Sequence, residues 1–350
     1  MNTSVYHHSK HRDELAFLCV DAFVSDFMGS RALTSAFETG LIDDLLQHQP
    51  CIFSDLVSRR GMDMRGLNLL LDMLRANQVI VRDENLIKLS TPFMKAMNFR
   101  DLLEMKLYFA NLVAPDFLNL FTVLLTNSAS FFEKAKVFEL FSYGRCFDPN
   151  PQNYQLTTRW MRITTAFTKY EAAVCMQHHD FSSYHRHLDI GGNSGEFSLR
   201  LCKQNPGLHS TVVDLPLVCK IGAKHVSIEP EAQRINFVIS SGTEDPTPRE
   251  FDLVTFKSML HDWPDKEMQQ FLKKAHNSLT PGGTLLIFER TQMTFENTQI
   301  PYATMPFMLF FRSYRATEVY QKQLEKLEFR NIQIQVVKLE MPFILITAQK

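Results

Sequence analysis

The sequence is short of every feature that would mark a charged, metal-bound or membrane partner. Its 37 Lys and Arg are balanced by 38 Asp and Glu, for a formal net charge of −1. No basic run stands out, so the charge pattern offers nothing to nucleic acid or to an anionic membrane surface. The six cysteines, Cys19, Cys51, Cys146, Cys175, Cys202 and Cys219, include no Cys-x-x-Cys pair. That excludes a zinc framework and a disulfide scaffold and suits buried thiols in a reducing compartment, with no metal expected. The first residues carry no apolar signal core, and no apolar run approaches the roughly 20 residues of a membrane span, so a cytoplasmic location is expected. A small, neutral or weakly charged substrate remains. With 350 residues, 45% of them hydrophobic, the chain is long enough for two domains.

What the chain does have is a glycine turn between an apolar run and a helical one. His187-Leu188-Asp189-Ile190 leads into Gly191-Gly192-Asn193-Ser194-Gly195, and Glu196-Phe197-Ser198-Leu199 begins a helix. Glycine lets the backbone take left-handed dihedrals and lets a ligand approach the amides and the helix N-terminus. The turn lacks the Lys-Ser/Thr end of a phosphate loop and the spacing of a dinucleotide fingerprint. Asp189, at the strand end, is expected to put negative charge beside the pocket mouth, which suits a cationic ligand. Roughly 20 residues beyond the turn, Ser210-Thr211-Val212-Val213-Asp214 reads as a second strand ending in an acid at the distance of a ribose-binding carboxylate. Strand, glycines, helix, strand and acid in that order define a nucleoside-binding α/β half.

Ahead of that half, residues 53–61 and 66–77 give a helix-turn-helix pattern, and 79–89 a two-stranded wing turning at 83–85. Domains are expected at 1–100 (winged helix), 101–178 (a helical, Phe- and Met-rich linker broken at 148–151) and 179–350 (the nucleoside-binding sheet). A groove-reading helix wants Arg, Lys, Asn or Gln toward base edges, but 66–77 is rich in Leu and Met. DNA binding is therefore the disfavoured reading, and an apolar association surface the favoured one. After Asp214 strands and helices alternate, predicting an open, mainly parallel sheet. The last two strands, 332–339 and 342–347, are joined by a short turn and must pair antiparallel.

Four segments in order, Leu188-Asp189-Ile190-Gly191-Gly192-Asn193-Ser194-Gly195, Val213-Asp214-Leu215-Pro216, Leu260-His261-Asp262-Trp263 and Pro281-Gly282-Gly283-Thr284-Leu285-Leu286-Ile287-Phe288-Glu289, resemble the motifs of S-adenosylmethionine-dependent O-methyltransferases of the acetylserotonin and caffeate type. The resemblance covers nearly the whole chain. It implies a Rossmann-like class I methyltransferase sheet, an N-terminal winged-helix module that forms a homodimer, S-adenosylmethionine as methyl donor with S-adenosylhomocysteine as product, and no metal. Residues implied at the cofactor are Asp189, Gly191, Gly192, Gly195, Asp214, Leu215, Ser241, Gly242, Lys257, Ser258 and Thr165. Residues implied at the substrate are Trp160, Met161, Trp263, Met305 and Met308, and those implied in catalysis are His261, Asp262 and Glu289. For Thr165 and Met161, simple packing is the competing reading.

His261 is the natural base for a hydroxyl acceptor, because an imidazole with an ordinary value of about 6.5 is largely neutral at cellular pH. His178, His179, His185, His187, His225 and His276 read instead as capping or hydrogen-bonded residues. Two departures from the family stand out. The acid expected after the third strand is displaced in Ser240-Ser241-Gly242-Thr243-Glu244-Asp245, and no acid stands in Phe311-Arg312-Ser313-Tyr314-Arg315-Ala316-Thr317. The second departure predicts that the imidazole has one carboxylate partner, and it suggests a phenol or enol acceptor. It also leaves open a non-methylating reaction on the same fold, pericyclic, decarboxylating or hydroxylating. The third glycine of the turn is Asn193, which tolerates left-handed dihedrals.

Overall fold

The computed structural model describes residues 15–350 apart from 84, 241, 243, 244 and 295–299. The chain divides into two compact units, 1–135 with 295–309, and 136–294 with 310–350. The first division therefore falls at 135/136, whereas composition places boundaries at 100/101 and 178/179. The long helix Arg100–Thr126 packs back onto the opening turns and onto Phe27–Glu38, and so belongs with the first unit.

The first unit is mainly helical. Phe53–Arg60 and Met64–Ala76 form the expected helix pair, and Ile80–Asp83 pairs antiparallel with Leu86–Leu89, which also takes Cys51–Ile52. Asp63 caps the second helix by accepting from the Gly66 amide at 2.7 Å. This is the winged-helix arrangement, with one difference in its surface. Leu67, Leu70, Leu71 and Leu74 are buried in the unit, leaving Met64 and Leu69, each 62% exposed, as the apolar residues of the outer face. The expectation that no segment approaches a membrane span is also corrected. Among the described residues, Thr91–Thr126 is long and apolar enough by length and composition. Between Leu107 and Thr126 the only charged residue is Asp116, so the averaged hydropathy passes, yet Leu102, Leu103, Leu107 and Phe109 are core of the unit.

The second unit carries the sheet. Its strands are β1 (Arg186–Ile190), β2 (His209–Asp214), β3 (Ile235–Ile239), β4 (Phe251–Lys257), β5 (Leu279–Arg290), β6 (Arg330–Lys338) and β7 (Pro342–Gln349). They lie in the order β3-β2-β1-β4-β5-β7-β6. The first five are parallel, and β7 runs antiparallel to both neighbours, as the short turn before it demands. The chain winds outward from β1 to β3 and then returns to the other side of β1 as β4. The crevice at such a reversal, beyond the carboxyl ends of the strands, is where doubly wound sheets bind ligands.

Helix α1 (Pro151–His178) starts where Asn150 accepts from the Asn153 amide at 2.9 Å with Pro151 in its first turn. Helices α2 (Glu196–Gln204) and α3 (Pro216–Val226) follow β1 and β2. On one face of the sheet, Leu188, Ile190, Val254, Phe256, Leu285, Ile287 and Ile344 pack against α4 (Asp265–Ser278) and α5 (Thr317–Lys326). Phe343 on β7 has no exposed surface, and its ring centre is 4.8 Å from that of Phe288. Replacing Phe343 by Ala empties that contact and is expected to cost about 3–5 kcal/mol; urea unfolding checks it, and a loss under about 1 kcal/mol would mean the sheet repacks freely there.

Candidate active site

The glycine turn is built as the sequence requires. Gly191 and Gly195 have φ of +70° and +74°, and Asn193 takes the left-handed region at +54°. Gly192 is constrained differently: a Cβ there would sit 2.6 Å from Asp189 Oδ2 and 2.9 Å from Val212 Cγ1. Asn193 donates its amide to Asp214 Oδ2 at 2.8 Å, while Thr165 on α1 donates to the Ser194 hydroxyl at 2.7 Å. Thr165 thus meets the turn itself.

Asp189 does not put charge at the mouth. It has no exposed surface, and its two oxygens accept from Thr255 and Ser198, each at 2.9 Å. Beside it, His187 is bridged between Ser210 at 2.9 Å and Thr255 at 2.8 Å. Because β1 alternates, Leu188 and Ile190 face the apolar core, and His187 and Asp189 form a polar layer beneath the turn. Burial raises Asp189 to about 6 and lowers His187 to about 3. Asp214, also raised to about 6 by burial, keeps partial exposure at the end of β2 and accepts from the Leu215 amide at 2.7 Å.

Past β4, Ser258 turns the chain with φ +50°, and His261 sits on the single 3-10 turn Leu260–Asp262. The imidazole Nδ1–H donates to Glu289 Oε1 at 2.8 Å. Glu289, with no exposed surface, also accepts from the backbone amides of His261 at 3.4 Å and Arg290 at 3.0 Å. On the other ring nitrogen, Nε2 lies 3.3 Å from Asp262 Oδ1. The expectation of one carboxylate partner is therefore corrected to two, the second coming from the adjacent residue. Burial alone would lower His261, but Glu289 and Asp262 together outweigh it and raise the imidazole above its ordinary value. Burial pushes Glu289 up, and His261 and Arg290 more than reverse that. Asp262 is pushed up, chiefly by burial.

The remaining expected residues have the following surroundings. Lys257 pairs with Glu171 and donates to Thr168 at 2.9 Å, both on α1; its side chain is 8% exposed. Glu171 also pairs with Arg290, which reaches Ser258 at 3.3 Å and Glu340 at 3.2 Å. Trp160 and Met161 are buried on α1, and Trp263 packs on Phe271 with ring centres 5.1 Å apart. Gly242 accepts from Lys274 at 2.6 Å, while Ser241 lies outside the described residues. Met305 and Met308 belong to the first unit. Among the described residues no group of three or more His, Cys, Asp and Glu is placed to hold a metal.

Sequence reasoning missed Tyr143, Glu171, Arg315 and Lys274. Tyr143 donates to Asp262 Oδ2 at 2.8 Å. Arg315 donates to the carbonyls of Leu260 and Trp263 at 2.8 and 2.5 Å and so clamps the turn that carries His261. Only Arg315 left a signal, since it lies in the segment already marked for its missing acid.

A reversing parallel sheet with a glycine turn, a strand-end acid and a carboxylate-held imidazole defines an α/β protein built for a nucleoside ligand. The chain belongs to the O-methyltransferase domain family, whose model matches residues 124–327, more than half of it. It is 36% identical over 110 residues to 3-hydroxy-5-methyl-1-naphthoate 3-O-methyltransferase of Streptomyces sahachiroi, covering 31% of this chain and 32% of that one. It is also 27% identical over 274 residues to the tetracenomycin polyketide synthesis 8-O-methyl transferase TcmO of Streptomyces glaucescens, covering 75% and 76%. The match to the first of these spans about a third of that relative's length. Among solved structures, PigF with SAH superposes over 100% of both chains at a TM-score of 0.69 and 18% identity, a likeness of fold.

The polar layer yields a test of its own. A histidine that stays neutral down to about pH 3 in the fold gains its proton near 6.5 when unfolded. The folded chain thus binds fewer protons in that window, and stability falls as pH drops through it. Replacing His187 by Gln removes that proton, so urea unfolding of the variant should gain about 2 kcal/mol on the native chain between pH 7 and pH 5; parallel pH dependences would show that His187 is charged in the fold.

Proposed function

We propose that the chain transfers a methyl group from S-adenosylmethionine to a hydroxyl of a small aromatic or polyketide-like natural product, with His261 taking the acceptor's proton. The observation that carries this is the imidazole, its side chain 10% exposed, held between Glu289 and Asp262 at the same edge of the sheet as the glycine turn. The residues there fit such a nucleoside. Gly191 and Gly195 hold the turn in left-handed dihedrals, and Asp214 keeps a half-buried carboxylate at the sequence spacing from the turn where ribose hydroxyls would be met. When bound, the donor supplies an electrophilic methyl on sulfur. The chain's own residues do the rest. Asp214, the turn from Gly191 to Gly195, Leu215 and Thr165 bind and orient the nucleoside, with Ser258, Gly242 and Lys257 at its margin. His261 removes the hydroxyl proton, and Glu289 stabilises the imidazolium that results. Trp160 and Met161 shape the apolar side of the acceptor site.

The non-methylating alternative drew on a missing second carboxylate, and Asp262 supplies one. The product-release measurement separates the two readings. Incubation with S-adenosylmethionine and a panel of hydroxylated aromatics should yield S-adenosylhomocysteine together with an acceptor heavier by one CH₂; conversion of the acceptor with no S-adenosylhomocysteine released points to the alternative. His261→Ala is expected to lower turnover by about 10²–10⁴-fold while S-adenosylhomocysteine binding by calorimetry holds. Undiminished turnover would remove His261 from the chemistry.

We also assign the first unit to homodimer formation in the cytoplasm, supported by its exposed Met64, Leu69, Leu118 and Leu125. Sedimentation should give twice the chain mass, and Leu118→Glu with Leu125→Glu should shift it toward one.

A further inference from the structure

Tyr143 stands 119 residues away from Asp262 in sequence, yet its hydroxyl is 2.8 Å from Asp262 Oδ2. The other oxygen of that carboxylate is the one 3.3 Å from His261 Nε2. One continuous path therefore runs from Tyr143 through Asp262 to His261 and on to Glu289. Tyr143 is held in place. It opens the short helix Tyr143–Phe147, and its ring lies 5.3 Å from that of Trp160. Two residues on, buried Arg145 ties the same segment to the carbonyls of Glu139, Leu140 and Ser142 and to Thr157 of α1.

We infer that Tyr143 is a positioning residue for His261: its hydroxyl holds the Asp262 carboxylate turned toward Nε2, and so sets how strongly the imidazole holds a proton. The physical case rests on Asp262. The Asp262 side chain keeps 22% of its surface exposed, so packing alone does not fix it, and a phenol donating to one oxygen holds the other toward the ring while favouring the anion. Without the phenol the carboxylate loses that orientation, and negative charge moves away from Nε2. The charged and titratable groups facing the imidazole are Glu289 and Arg290 from β5, Asp262 from its own turn, and Tyr314, whose ring centre is 5.3 Å away; Phe310, at 6.1 Å, is apolar. Of these only Asp262 answers to Tyr143.

The inference rests on the methyl-transfer reading only for its effect on rate, because the proton on His261 can be observed directly. In the full chain labelled with ¹⁵N-histidine, the His261 ring signals, assigned by their loss in His261→Gln, should titrate above 6.5. In Tyr143→Phe the midpoint should drop by about half a pH unit or more. Asp262→Asn should lower it too, and adding Tyr143→Phe to Asp262→Asn should change nothing further. An unmoved or raised midpoint in folded Tyr143→Phe overturns the inference. So does an unmoved midpoint in Asp262→Asn, a result that decides the matter even if the Tyr143 variant fails to fold. With any acceptor that is methylated, the acid limb of kcat/KM should move down with the midpoint. If no acceptor is methylated the proposed function fails, and the titration still decides the role of Tyr143.

Discussion

Three carboxylates sit almost or wholly out of reach of water at the carboxyl edge of the parallel strands: Asp189 and Glu289 with no exposed surface and Glu171 with 2%. A buried anion costs several kcal/mol unless fixed donors or cations answer it. Each of the three is answered, and the answers arrange the site. Asp189 collects hydroxyls from Thr255 and Ser198 and forces the residue above it to be glycine, since any Cβ on Gly192 would meet its oxygen. Glu171 draws Lys257 and Arg290 onto α1, joining the helix to the ends of β4 and β5. Glu289 takes the imidazole of His261 together with two backbone amides.

The charge on His261 follows from the same demand. An isolated histidine would be largely neutral near pH 7, which is what a base needs. Here the groups that fix the ring also favour its protonated form, and burial alone does not reverse them. Orientation and proton affinity are thus set by the same pair of carboxylates. A base that binds its proton more firmly takes one more completely from an acidic hydroxyl, at the cost of being free less of the time at neutral pH.

What the sequence made legible was local. The glycine turn, the left-handed Asn193, the acid at the end of β2, the parallel winding and the antiparallel last pair each depend on a few consecutive residues or on a periodicity, and the structure agrees with them. What it hid depends on partners far along the chain. Glu171 meets Arg290 across 119 residues and Tyr143 meets Asp262 across the same separation, and no spacing rule encodes either. Asp189 misled for a related reason: strand alternation fixes that it faces away from Leu188 and Ile190, but not whether that side opens to a ligand or to a buried layer. The leucines of Met64–Ala76 misled likewise, because composition does not distinguish a face turned to a partner from one turned to the unit's own core.

The segment without its acid shows how one position can trade charge for rigidity. Tyr314 lays its ring against His261, 3% exposed, and Arg315 spans the turn from the Leu260 carbonyl to that of Trp263 and on to Asp265 at 2.8 Å. A third carboxylate beside an imidazole that already has two would add little attraction and a further buried charge to be answered. An aromatic ring and a guanidinium on backbone carbonyls add none at the imidazole. They restrict instead where a one-turn 3-10 helix, marginal by itself, can place its histidine. Because a displacement of about 1 Å costs on the order of 10²-fold in a reaction that depends on alignment, holding the turn still matters as much as the charge around it.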